Sequence, residues 1–156
     1  MRKLLSASLV ACMFALMPML SVPAVADESD EPAPLRCTID ISVDTTAVDV
    51  HWEGTISGDI VGTIQLWEHP DNYVVGKVMH YFEDFIITTT DGDVIQGFEQ
   101  GIWNFPTLKF RSVGCVADAT GDWEHLEGYR TLQMGITSET TGPVITGTGT
   151  MMLMPT

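Results

Sequence analysis

Four groups of side chains in this sequence could do chemistry. The stretch V116-A-D-A-T-G-D-W-E-H-L-E-G128 gathers acids, a tryptophan and His125 between turn residues. An imidazole placed there could act as a general acid or base. His80, Glu83 and Asp84 form the most compact histidine–carboxylate cluster. On a helix, positions 80 and 84 would share a face and could hold a divalent metal. Their β-branched and aromatic neighbours predict a strand instead, which sends Glu83 and Asp84 to opposite faces as exposed charges. Gln96 and Gln100 share a strand parity with Val94, Phe98 and Ile102. Turned into a barrel, Gln96, Phe98 and Gln100 would orient a small ligand by amide hydrogen bonds and apolar contact. The competing assignment buries the other face of that segment, with Ile95 and Trp103. The fourth group is Cys37 and Cys115, which lack the C-x-x-C spacing of a metal site and predict one disulfide in an oxidising compartment.

Other chemistries lack their residues. There is no G-x-S-x-G segment, no evident triad and no phosphate loop. Asp91-Gly92-Asp93 has only part of a calcium-loop pattern, and a hairpin turn accounts for it. His51 falls on a polar face. No residue pattern calls for a cofactor, and the expectation is none.

The elements that must position these groups are read from alternation. Ile39, Ile41 and Val43 alternate with Thr38, Asp40, Ser42 and Asp44, and Val48, Val50 and Trp52 alternate with Asp49, His51 and Glu53. Period two with one apolar face marks half-buried strands. A three-residue loop at Ser57-Gly58-Asp59 would pair Ile56 with Ile60, Trp52 with Ile64 and Val50 with Leu66, which keeps six apolar residues on one face. His69-Pro70-Asp71-Asn72 and Asp91-Gly92 mark further turns. Leu108 and Phe110 alternate with Lys109 and Arg111, after which the apolar parity slips to Val113 and Cys115, a sign of a bulge or strand end. Leu132, Met134 and Ile136 predict another strand, and P-V-I-T-G-T-G-T-M-M-L-M the last. Eight or nine short strands with glycine-rich turns predict an all-β domain. We read it as a small antiparallel β-barrel of about eight strands, with a two-sheet sandwich as the alternative.

The amino-terminal segment has a different character. Met1-Arg2-Lys3 precedes the apolar run L-L-S-A-S-L-V-A-C-M-F-A-L-M-P-M-L, and Ala24-Val25-Ala26 supplies a small-x-small cleavage pattern. Residues 1–26 therefore read as a secretory signal peptide, 27–36 as a flexible acidic leader and 37–156 as one domain. The expected location is periplasmic or extracellular after cleavage near Ala26. Leu9-Val10-Ala11-Cys12 offers a lipoprotein anchor at Cys12 as the lesser alternative. Removing residues 1–26 takes away Arg2 and Lys3 and no acid, moving the formal net charge from −14 to −16. Such a field repels phosphate backbones and anionic bilayers, so neither nucleic-acid binding nor stable membrane insertion is expected.

Gly121-Asp122-Trp123, with Gly128 five residues after the tryptophan, resembles the Gly-x-aromatic-x4-Gly segment of the allene oxide cyclase-like and dirigent-like barrels. A second glycine usual two positions after the aromatic is His125 here. The resemblance implies an eight-stranded barrel that holds a small apolar molecule, and it carries no catalytic residue onto this chain. Three classes follow: an exported barrel that binds a small apolar ligand, a cofactor-free cyclase, isomerase or dirigent-like protein using the same cavity, and a structural or surface protein with a packed interior. Homo-oligomerisation is compatible with each. The interior discriminates among them: a packed core favours the third, convergent polar groups favour the first two, and a titratable group with a displaced pKa points to catalysis.

Overall fold

The structure, a computed structural model, describes residues 32–139 and 142–156. The signal segment, Cys12 and residues 27–31 of the acidic leader lie outside the described residues. Nine strands follow in order: β1 (Leu35–Asp44), β2 (Trp52–Gly58), β3 (Gly62–Glu68), β4 (Tyr73–Val75), β5 (Val78–Thr89), β6 (Val94–Asn104), β7 (Lys109–Ala119), β8 (Arg130–Thr137) and β9 (Val144–Met154). A 3₁₀ turn, η1 (Gly121–Leu126), joins β7 to β8. Every pairing is antiparallel, in the order β3-β2-β1-β9-β8-β7-β6-β5-β4, and β3 also pairs with β5. That last ladder closes eight strands into a ring and leaves β4 outside it, so the protein is a closed β-barrel. Closure pairs the edges that an open sheet would expose.

One face of β1, β2 and β3 turns inward as alternation requires: Ile39, Ile41, Trp52, Ile56, Ile64 and Leu66 are all buried. The β2–β3 register differs from the expected one. Trp52 faces Leu66, Gly54 faces Ile64 and Ile56 faces Gly62. The loop is thus longer by two residues, a shift that preserves parity and so keeps the apolar set together. Ile60 tucks from this loop into the core with no exposure. Gly58 takes φ +121°, a conformation that suits glycine. Val48 and Val50 belong to an exposed connection and not to a strand, so β2 begins at Trp52. Asp91-Gly92 forms the expected hairpin, with Gly92 at φ +93°. The irregularity in β7 falls at Ala117, where Gln96 faces Asp118 and Gly97 faces Val116.

From β5 to β8 the polarity is inverted. Phe82, Phe98, Ile102, Val113, Met134 and Ile136 lie exposed on the outside of the ring. Glu83, Glu99, Ser112, Thr131 and Gln133 are buried inside it. The strand expected at Leu132, Met134 and Ile136 exists as β8, but those residues form its outward face. The disulfide expectation also fails: both thiols are free. Cys37 is buried on the inward face of β1. Cys115 stands opposite Phe98 on the outside of β7, and those two strands are not neighbours.

The two ends of the barrel are closed differently. At the end where β5 turns into β6, η1 folds across the opening. Leu126 is fully buried, and Trp123 packs partly buried against the core. Thr120 fastens this corner to β6, since its hydroxyl accepts a hydrogen bond from the Val94 amide at 2.8 Å. The opposite end, where β2, β5 and β7 begin, carries the polar interior.

Candidate functional site

Three acids occupy one level of the barrel. Glu68 on β3 pairs in register with Glu83 on β5, and Glu83 pairs with Glu99 on β6. Like charges placed directly opposite one another destabilise a sheet. Glu83 is 4% exposed and Glu99 1%, so neither carboxyl is relieved by water. Among the described residues the ion pairs are His51–Glu53 and His69–Asp84, both involving other acids. No lysine, arginine or histidine lines the chamber around Glu83.

Each acid is held in its own way. Ser112 donates to Glu99 Oε2 at 2.5 Å, while Glu99 Oε1 has no partner. Burial pushes the Glu99 carboxyl up, and the neighbouring Ser112 and Thr131 hydroxyls draw it back in part. The Thr131 hydroxyl itself does not meet hydrogen-bond geometry with any group. Glu83 sits well above the usual carboxyl range, first because it is buried and then because Glu99 and Glu68 face it. Burial, followed by the charge of Glu83, also drives the Tyr81 phenol upward. Glu68 lies at the rim, where Trp52 Nε1 donates to one oxygen and Asn72 Nδ2 to the other, each at 3.0 Å.

These groups surround a chamber of about 30 Å³, walled by Trp52, Trp103, Tyr81 and Phe110 with Glu68, Glu83, Gln133 and Thr137. That is room for one or two water-sized groups and far below the ~300 Å³ at which drug-sized ligands are enclosed. Gln133 is 1% exposed and its carbonyl oxygen has no partner. Beyond the chamber lies a cleft of about 210 Å³, lined by Val43, Val50, His51, Met79 and Ile145 and sharing Trp52, Glu68 and Trp103 with it. The two indoles line both spaces and meet edge-on with centroids 6.1 Å apart. The Trp103 N–H is buried without an acceptor. Buried polar atoms of this kind are uncommon in folded proteins, and each leaves hydrogen-bonding capacity for something else to use.

The residues singled out in the sequence fall elsewhere, with one exception. Gln96, Phe98 and Gln100 point outward: Phe98 is 54% exposed, and Gln96 donates to Asp118 on the surface at 3.1 Å. Ile95, Gly97, Glu99, Gly101 and Trp103 form the inward face of β6, as the competing assignment had it. His125 lies on exposed η1, its Nδ1 3.0 Å from the Asp122 carbonyl, at the end remote from the acids. The strand expected at His80, Glu83 and Asp84 is β5, but only Glu83 turns inward, so it is buried and not exposed. Asp84 pairs outside with His69 at 3.0 Å, and His80 stacks on Tyr73. No three metal-binding side chains converge among the described residues. Glu99, Glu68, Ser112 and Gln133 were missed. The parity of Ile95 and Trp103 was the available signal, since it places Glu99 inside and opposite Glu83.

Fold and site together define a small closed antiparallel barrel with an acidic, aromatic-walled chamber at one end. Comparison of the chain with protein-family models, curated proteins and solved structures finds no match.

Proposed function

We propose that this protein is exported and binds a small molecule at the acidic end of its barrel, the ligand's polar head entering the chamber and its apolar body resting in the cleft. The observation that carries this reading is the pair of buried, unpartnered atoms at the chamber, Gln133 Oε1 and Trp103 Nε1. An unpaired buried polar group costs about 1–3 kcal/mol, a cost that a bound ligand's hydrogen bonds can offset. Trp52, Trp103, Met79 and Ile145 provide the apolar surface outside it. The eight-stranded ring is of the kind implied by the resemblance to allene oxide cyclase-like and dirigent-like barrels, and the signal-peptide pattern supports export.

Native mass spectrometry of residues 27–156, beside the denatured mass of the same sample, tests the reading. An added mass lost on denaturation, and absent from a Trp103→Ala variant, is the expected result. A bare mass from protein expressed in its native host would count against it.

Glu83 favours a second reading, a cofactor-free isomerase or cyclase. A buried carboxyl held well above the usual carboxylate range can donate a proton and take it back within one turnover. The ligand recovered from a Glu83→Gln variant, incubated with the unaltered protein, would then change retention time without changing mass.

A further inference from the structure

We propose that the head group taken into the chamber is a primary ammonium, so that the protein is a receptor for small organic amines. The inference rests on the binding reading above and names its ligand class.

Acidic and amide side chains gather at the chamber. Glu83 and Gln133 line it, Glu68 closes its rim, and Gln133 Oε1 is fully buried with no donor. Among the described residues, the Trp103 indole is the buried unpartnered nitrogen donor that lines the chamber. An ammonium carries three donors, which the oxygens of Glu83, Gln133 and Glu68 can accept. It also supplies the positive charge that the Glu68–Glu83–Glu99 row lacks. The walls fit as well: Trp52, Trp103 and Tyr81 offer aromatic faces, which attract a desolvated cation. Size suits a small head, since about 30 Å³ has room for a compact group such as –NH₃⁺. The 210 Å³ cleft outside is apolar enough to receive one ring or a short alkyl chain.

The titratable groups facing the site are Glu68 from β3, Tyr81 and Glu83 from β5, Glu99 behind them on β6, and His51 at the mouth. Burial and the two other acids hold the Glu83 carboxyl well above the usual carboxylate range. Cation binding therefore displaces the Glu83 proton, and affinity rises with pH through that titration.

Calorimetric titration with benzylammonium and with its neutral counterpart benzyl alcohol tests the inference. The expected result is 1:1 binding of benzylammonium at least tenfold tighter than benzyl alcohol, strengthening from pH 5 to pH 8. Glu83→Gln loses at least tenfold for the ammonium and leaves the alcohol unchanged. Asp40→Asn, an exposed acid on the outer face of β1, leaves both unchanged, which separates the site from the attraction of a net-negative protein for any cation. Equal or tighter binding of benzyl alcohol overturns the ammonium assignment while the binding reading stands. Loss of benzylammonium affinity in Asp40→Asn as large as in Glu83→Gln also overturns it. If neither compound binds, the ammonium assignment falls, and the native-mass experiment decides the broader reading on its own.

Discussion

At the end closed by η1, Ile60, Phe85, Ile95 and Leu126 have no exposed surface and meet only one another and their apolar neighbours. At the other end the same strands bury Glu83, Glu99, Ser112, Thr131 and Gln133, several of them with unused hydrogen-bonding atoms. The first end is what a chain does to stay folded. The second carries groups whose burial costs free energy, and a sequence selected for stability alone would replace them with leucine or valine. The contrast separates a half of the ring that is packed for stability from a half whose buried polar groups stability alone does not explain.

Substitutions can break this comparison. Phe85→Ala, in the packed half, should cost about 3–5 kcal/mol in denaturant unfolding, the range for losing a buried aromatic ring. A loss under 1 kcal/mol would mean that the packed end does not carry the stability. Ser112→Ala, in the polar half, should cost about 1.5–3 kcal/mol at pH 7, because it removes a hydrogen bond to a buried carboxyl. It should also push the Glu99 titration further upward, as seen by carboxyl-resolved NMR.

Glu83→Gln should act in the opposite direction. Glu83 is raised in the fold, so the native state holds its proton where the unfolded chain has released it. Stability is then greatest below the ordinary carboxyl range and falls as pH rises toward the folded titration. The glutamine variant should be more stable than the parent by roughly 1 kcal/mol at pH 8, since it removes opposed like charges. At pH 4 the two should converge, and melting temperatures across that range would show it. A constant gap at all pH values would mean that Glu83 is not buried in its acid form. Gln96→Ala and Gln100→Ala should change stability and any ligand affinity least, within about 0.5 kcal/mol. A larger effect on binding would put these amides inside the barrel after all.

Much of the fold was legible because β1, β2 and β3 obey the ordinary pattern, apolar inward and polar outward. Alternation at Ile39-Ile41-Val43 and the shared parity of Ile56, Ile60, Ile64 and Leu66 required a one-sided sheet whatever the exact loop length. The site was not legible for the same reason in reverse. On β6 and β8 the apolar residues Phe98, Ile102, Met134 and Ile136 face out, and Glu99, Thr131 and Gln133 face in. A reader who assigns the apolar face to the core inverts both strands and sends Glu99 to solvent. Two strands hinted at the true arrangement: on β5 Tyr81, Phe85 and Ile87 share Glu83's parity, and on β6 Ile95 and Trp103 share that of Glu99. The disulfide expectation failed through geometry, since composition gives the count of cysteines and not the strands between them.

The ring is sealed by its first and last strands. β1 pairs along its whole length with β9, joining Leu35 to Leu153 and Val43 to Ile145 across roughly a hundred intervening residues. No barrel exists until the final strand has left the ribosome, and the loop entropy of that closure must be met before its contacts can reward it. Folding is therefore expected late and slow, on the millisecond-to-second scale of β-rich topologies. A chain that cannot close early stays open along its whole length until its last strand is available to pair.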